Sequence, residues 1–427
     1  MKNARETALL ALYEVEYNGA YSNIALKNCL KGSDLDARDK ALCTSLFYGV
    51  ISRRLTLDAM LGQLSRVKPK KISKYIRLIL LLGLYQIKFA DKIPVSAAVN
   101  ESVRLAKRYG HSSAAGFVNA LLKNAAKTEF DFVEPSVKYS AAKEVCDAVF
   151  ADYPDRAEQI LAALNEEPVC TLRANRLKIS RDELCERLGG EPCGFLEDAL
   201  YIKRTDISQN ELYAEGLFTV QDLSPMLACR VLAPMPGDTV VDACAAPGGK
   251  TTYLAELMQN RGKIFAFDLH KHRAELIAKN AKRLGIDIIE ASCADARVCV
   301  PELVGTVDRV LADVPCSGIG IARRKPELKY KTDNDGLPGL QLEILSAAAK
   351  YLKPGGVLVY STCTLYKREN GGVLERFLRE NPDFEREDIS GALPEGFKED
   401  NKGEITVMPG ENGCDGFYIA KIKRHIT

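Results

Sequence analysis

The stretch Thr239-Val240-Val241-Asp242-Ala243-Cys244-Ala245-Ala246-Pro247-Gly248-Gly249-Lys250 decides how this chain is read. A short β-prone run ends in a carboxylate, small residues and two glycines follow, and a helical pattern begins at Lys250. That order is a strand, a tight turn and a helix, the opening unit of an open α/β sheet. Glycines let the backbone approach a ligand closely, and a helix start offers free N–H groups. The turn departs from the G-x-G-x-x-G of dinucleotide enzymes: Ala245 and Ala246 stand where the first glycines would be, and Asp242 precedes it. A carboxylate repels a pyrophosphate but suits a sulfonium or an ammonium. The pattern therefore favours S-adenosyl-L-methionine over a phosphate-bearing nucleotide.

Downstream, strands are expected at 239–242, 263–268, 286–290, 307–313 and 356–361, with helices at 250–259, 272–284 and 337–351. Such alternation predicts a doubly wound, mostly parallel sheet. Ligands of these sheets bind beyond the carboxyl ends of the strands, and chemistry-bearing residues stand at those ends here. Asp268 closes the second strand, where it suits ribose hydroxyls. Asp295 follows the third, within reach of an adenine amine, and Asp313 closes the fourth. The expected cofactor residues are Cys244, Ala245, Ala246, Pro247, Gly248, Gly249 and Lys250, with Asp268, Asp295 and Asp313. Two thiols complete the set, Cys316 in Asp313-Val314-Pro315-Cys316-Ser317 and Cys363 in Ser361-Thr362-Cys363-Thr364. Paired thiols near a carboxylate and a methyl donor point to covalent methyl transfer to a pyrimidine base. Spacing alone does not say which cysteine attacks.

At 427 residues the chain exceeds one hydrophobic core. Its 13 cysteines are scattered with no C-x-x-C pair, and the four histidines are dispersed, so reduced thiols and no metal centre are expected. No run approaches the roughly 18 apolar residues of a membrane span, and the opening segment lacks the apolar centre of a signal peptide. Cytoplasmic residence is expected.

A net charge of +2 hides an asymmetry, because residues 1–130 carry 21 Lys/Arg against 10 Asp/Glu. A basic front suits an anionic partner. Helical stripes and short punctuated connections make residues 1–130 an all-α bundle. Residues 131–165 read as a helical linker, 166–220 as a small α/β module and 221–427 as the catalytic domain, whose tail at 416–422 alternates like an edge strand. Lys68, Lys70, Lys71 and Lys74 lie between Arg66 and Arg77 with no acid among them, a candidate phosphate-contacting patch. Arg323 and Arg324, with Lys325, follow the Cys316 loop and are expected to hold phosphates flanking a target nucleotide. The basic front lacks aromatic clusters, which favours phosphate and shape contacts to folded RNA over base stacking.

Ala245-Ala246-Pro247-Gly248-Gly249-Lys250, Asp313-x-Pro315-Cys316-Ser317-Gly318 and Thr362-Cys363-Thr364 together resemble the RNA (cytosine-5)-methyltransferases of the Fmu/Sun/NOL family. Within it, the bacterial group acting on small-subunit (16S) ribosomal RNA is the most similar. The resemblance runs over nearly the whole chain. Gly116-Phe117-Val118-Asn119-Ala120-Leu121-Leu122 resembles the family's NusB-like RNA-binding domain. Leu172-Arg173-Ala174-Asn175 and Val220-Gln221-Asp222 resemble the borders of its RRM-like module, and Thr364 stands where many members have Ser. The resemblance implies a Rossmann-like catalytic domain using S-adenosyl-L-methionine. It also implies Cys363 as the nucleophile and Cys316 as the residue assisting product release.

Cytosine C5 is a poor nucleophile, and a thiolate adding to C6 turns it into an enamine-like one. Asp313 would contact the cytosine edge, as a protonated carboxylic acid donating to N3. The base must be unpaired or flipped out, at a cost of roughly a few kcal/mol. Free or partly assembled 16S RNA is the expected partner, and a monomer is expected. Two other readings compete: DNA cytosine-5 methylation, which lacks a late target-recognition insert here, and a non-catalytic RNA-binding or antitermination scaffold, which would have lost one of the site residues.

Overall fold

A computed structural model describes residues 3–203, 207, 210–331 and 335–426. The chain divides into a helical unit (Met1–Phe150, Ala157–Asn165 and Lys325–Thr332) and an α/β unit (Ala151–Arg156, Glu166–Arg324 and Asp333–Thr427).

In the helical unit the expected stripes become the helices Ala4–Asn18, Ala37–Ser52, Arg54–Leu64, Lys74–Phe89, Val95–Tyr109 and Ser112–Lys127. A further helix, Ser22–Lys31, was not expected. Their apolar faces meet in one core that includes Leu9, Phe47, Leu57, Ile79, Leu82 and Leu122. Residues 129–165 hold three short helices, and all but 151–156 belong to this unit. Ser140 Oγ accepts from Leu55 N at 3.0 Å, and Thr56 Oγ1 donates to Val137 O at 2.5 Å. The segment Lys325–Thr332 also packs here. Lys329 is fully buried and donates to Ser52 O at 2.8 Å and Asn165 Oδ1 at 2.5 Å.

The α/β unit begins with a small antiparallel sheet of β1 (Cys170–Ala174), β2 (Glu191–Pro192), β3 (Ala199–Ile202) and β4 (Phe218–Val220), in the order β2-β3-β1-β4. Ser180 caps the helix Arg181–Leu188, which Gly189 ends in a left-handed conformation. Fully buried Arg173 on β1 reaches out of this sheet to the helix Gly249–Leu257. It donates to Glu256 Oε1 at 2.8 Å, Gly249 O at 2.8 Å and Thr252 Oγ1 at 3.0 Å, and also bonds Gln221 Oε1.

The main sheet contains β5 (Thr239–Asp242), β6 (Lys263–Asp268), β7 (Ile289–Cys293), β8 (Val307–Asp313), β9 (Leu352–Thr362), β10 (Phe384–Arg386), β11 (Glu404–Val407) and β12 (Phe417–Arg424). Its order is β10-β12-β9-β8-β5-β6-β7, with β11 paired to β12. Strands β5 to β9 run parallel, and the last three are antiparallel additions. Alternate residues feed two cores: Val240, Leu311 and Val359 enter one, Val241, Val310 and Leu358 the other. Burial on both faces is why these strands read as continuous apolar runs.

Two expectations are corrected. The third strand begins at Ile289 instead of 286, because the preceding helix ends in a cap that uses Ile286. Gly285 is left-handed and Ile286 N donates to Ala281 O at 3.0 Å, burying the isoleucine against the helix. The tail strand is not an edge: β12 lies between β9 and β10, and Phe417–Ile422 are all buried. Aromatic Tyr418 and small Ala420 face the second core, so the alternation was apolar on both sides.

Removing one partner of a buried ion pair strands the other charge, at about 3–5 kcal/mol. Arg173→Met is expected to destabilise the α/β unit by about that amount. Urea unfolding would measure it, and the Arg173→Met/Glu256→Gln double variant should recover part of the loss.

Candidate active site

The order of the parallel strands reverses at β5, whose neighbours are β6 and β8, and the crevice of such a sheet opens there. The turn after β5 is held from both sides. Ala245 N donates to Phe267 O at 2.7 Å, and Arg273 and Asn280 donate to Ala246 O and Pro247 O at 3.2 and 2.9 Å. Gly248 has φ +100°, and a Cβ there would stand 3.1 Å from Ile277 Cα, so only glycine fits. Cys244 is half-buried beside it.

Asp242 is buried at the strand end. Its Oδ2 accepts from Thr251 Oγ1 at 2.7 Å, while its Oδ1 has no hydrogen-bond partner among the described residues. Burial pushes this carboxyl up to about 7, against the opposing Thr251 bond. Asp268 is buried at the end of β6, accepting from His270 N at 3.0 Å, with Arg273 3.5 Å away. Asp295 is engaged by the side chain and backbone of Arg297, whose hydrogen bonds hold its carboxyl down at about 2. A waiting buried oxygen, a turn with a left-handed glycine at 248 and carboxylates on successive strands fit a cationic nucleoside without phosphates.

Asp313 ends β8. Its Oδ2 lies 2.6 Å from Lys250 Nζ, and its Oδ1 accepts from Ser361 Oγ at 2.8 Å. In the structure both carboxyl oxygens of Asp313 thus have partners, Lys250 and Ser361. Burial pulls the Lys250 ammonium down, but Asp313, then Cys229 and Cys363, outweigh it, and the net shift is upward. Lys250 therefore keeps its charge, which both Cys229 and Cys363 feel.

The two thiols meet, with Cys316 Sγ 3.2 Å from Cys363 Sγ and 3.3 Å from Cys363 N. The bond to Cys363 and burial both push the Cys316 thiol well up, so it stays protonated at neutral pH. Residues not anticipated from the sequence hold the loops in place. Buried Glu369 accepts from Ser317 N at 3.0 Å and Gln341 Nε2 at 2.8 Å. Asn370 bonds Thr362 Oγ1 at 2.6 Å and Thr364 O at 3.1 Å, and Ser317 and Thr364 share a 2.6 Å hydroxyl bond. Gly320 N donates to Cys363 O at 3.0 Å, and a Cβ on Gly320 would lie 2.1 Å from Gly416 O. The one available signal was a polar Glu369-Asn370 pair shortly after the second thiol.

The expected phosphate-holding arginines are spent elsewhere. Arg323 is buried, donating to the carbonyls of Gly413 and Cys414 and to Asp415 Oδ1. Arg324 bridges Asp415, Asp222 Oδ2 (2.7 Å) and Val169 O (3.0 Å). In the helical unit Lys68, Lys70, Lys71 and Lys74 are exposed, whereas Arg77 pairs with Asp58 at 2.6 Å and Glu16 at 3.2 Å.

Three family models match this chain: 16S rRNA methyltransferase RsmB/F over residues 229–423, the NusB family over 2–127, and the ferredoxin-like domain of RsmF/B-like methyltransferases over 145–205. A probable ribosomal RNA small subunit methyltransferase B of Bacillus subtilis is 38% identical, covering 99% of both chains. This chain belongs to the RsmB/F family of 16S ribosomal RNA methyltransferases. A counterpart from Synechocystis is 36% identical over 99% of this chain and all of its own. The crystal structure of PH0851 superposes with a TM-score of 0.81 at 28% identity, covering 99% of this chain and 98% of that one. The RsmB/F cofactor is S-adenosylmethionine, and Asp242, Asp268 and the turn 244–250 are the residues that would hold it. Among the described residues no cluster could hold a metal ion and no helix is long and apolar enough to cross a membrane.

A carboxyl raised on folding binds its proton more tightly in the native state, so stability falls as pH climbs from the unfolded value towards the folded one. Asp242→Asn is expected to raise the Tm of the ligand-free protein at pH 8 relative to wild type, with the gap closing towards pH 4. Thermal melts across that range test it.

Proposed function

We propose that this RsmB/F methyltransferase transfers a methyl group to C5 of a cytosine in small-subunit ribosomal RNA through a covalent Cys363–C6 adduct. The observation that carries the reading is the pair of thiols 3.2 Å apart beside the Lys250–Asp313 ion pair. S-adenosylmethionine supplies the electrophilic methyl group.

Cys363, with an ammonium beside it, is the better placed thiol to react as a thiolate. Its addition to C6 makes C5 nucleophilic enough to take the methyl group, and loss of the C5 proton to water with expulsion of the sulfur restores the ring. The Asp313 carboxylate accepts from the cytosine amine, while Lys250 offsets negative charge gathering on the ring. Cys316, held protonated at hydrogen-bond distance from Cys363, donates to the departing sulfur and so speeds release. The favoured substrate is RNA not yet assembled into a subunit, because a flipped base needs open access. Residues 1–130 bind that RNA through the exposed Lys68, Lys70, Lys71 and Lys74, residues 166–220 form the RRM-like module and 221–427 the catalytic domain. The protein works as a monomer in the cytoplasm.

The test is tritium transfer from labelled S-adenosylmethionine to protein-free small-subunit RNA. Cys363→Ala should cut the rate by on the order of a thousandfold or more. Cys316→Ala should stall with a denaturant-resistant protein–RNA adduct. Swapped behaviour would exchange the two roles, and a wild type that labels no RNA would sink the reading.

A further inference from the structure

A cavity of about 630 Å³ lies next to the catalytic loop, outside the crevice described above. One wall is the backbone that follows Cys363: Asn370, which holds Thr362 and Thr364, lines it together with Gly371. Tyr418 forms another wall, and it stands directly across from Thr362 in the β12–β9 register. The cavity therefore opens at the same carboxyl edge of the sheet as the two thiols, one strand further along.

Its lining carries charges of both signs. Lys367 and Arg368 contribute exposed cations, whereas Arg156 is already paired with Glu411. Glu375, Asp400 and Glu404 contribute carboxylates, with Glu404 buried and already accepting from Tyr418 and Asn401. The Tyr153 ring carries the Lys367 ammonium 5.1 Å from its centroid, and its hydroxyl donates to Leu365 O at 2.7 Å, tying the cation to the thiol-bearing loop. A free phosphate would meet carboxylates as well as cations. A ligand suited to such a lining carries both an anion and N–H donors, which describes a nucleotide. The volume lies within the ~300–1,000 Å³ typical of small-molecule sites.

We propose that this cavity is a subsite for a nucleotide flanking the target cytosine, its phosphate on Lys367 and Arg368 and the N–H groups of its base towards the carboxylates of the lining. The inference rests on the RNA-methylation reading for its substrate. It supplies the phosphate contacts next to the active site that Arg323 and Arg324 do not.

Two readouts separate the subsite from that reading. A fluorescently labelled single-stranded fragment of small-subunit ribosomal RNA is titrated against the full chain, wild type and Lys367→Ala/Arg368→Ala, by anisotropy at several salt concentrations. Removing two phosphate contacts should weaken binding at least tenfold and reduce the salt slope by about 1.4, since single strands lose ~0.7 per contact. Methyl transfer should show a raised KM for RNA with kcat nearly unchanged, and Lys367→Arg should restore it. Unchanged binding and salt slope in a variant that melts like wild type would overturn the subsite, whatever the activity. If the wild type binds the fragment as described but transfers no methyl group, the methylation reading fails and the nucleotide site stands.

Discussion

The ion pair between Lys250 and Asp313 is the constraint on which the rest of the active site depends. Lys250 belongs to the helix that follows the cofactor turn, and Asp313 ends the strand that leads into the Cys316 loop. At 2.6 Å and mostly withdrawn from water, the pair ties the helix after the glycine turn to the loop that carries Cys316. A buried pair of this kind is weak evidence for stability but strong for geometry, because either charge left alone would be costly. It also sets the local charge balance: Asp313 keeps Lys250 protonated, and the ammonium acts on the thiols of Cys229 and Cys363.

Around that pair the molecule spends buried polar groups on holding loops still. Glu369 fixes the Pro315–Ser317 turn, Asn370 fixes the strand end before Cys363, and both stand at the start of one helix. Two loops 47 residues apart in sequence are thereby held with their sulfurs in contact. The bond from the neighbouring thiol and burial push the Cys316 thiol well up, and the carboxylates of Glu369 and Asp313 add to this.

The same logic explains where reading the chain by eye went astray. Arg323 and Arg324 looked like a phosphate clamp because they follow the Cys316 loop on the same side of the sheet. Their partners Asp222 and Asp415 lie about a hundred residues away and reach them only through folding. Arg77 left the basic patch for the same reason, captured by Glu16 and Asp58 on other helices. The motif residues Arg173 and Gln221 turned out to bind each other and to brace the helix of the cofactor turn. Charge in a sequence is visible, but its neutralisation is a long-range property.

The parallel strands, the glycine turn, the helical front and the two thiols were legible from residue types and periodicities, because each depends on the side chains and backbone freedom of a few consecutive residues. Strand termini alone place Asp242, Asp268, Asp313, Cys316 and Cys363 at one edge of the sheet. The interior position of β12 needed the fold, since a strand's neighbours are chosen by what remains unpaired when the other strands have assembled. So did the capture of 325–332 by the helical unit and the locking role of Glu369. Local chemistry decides which elements form and what they carry; desolvation and pairing between distant segments decide which of those charges remain available for work.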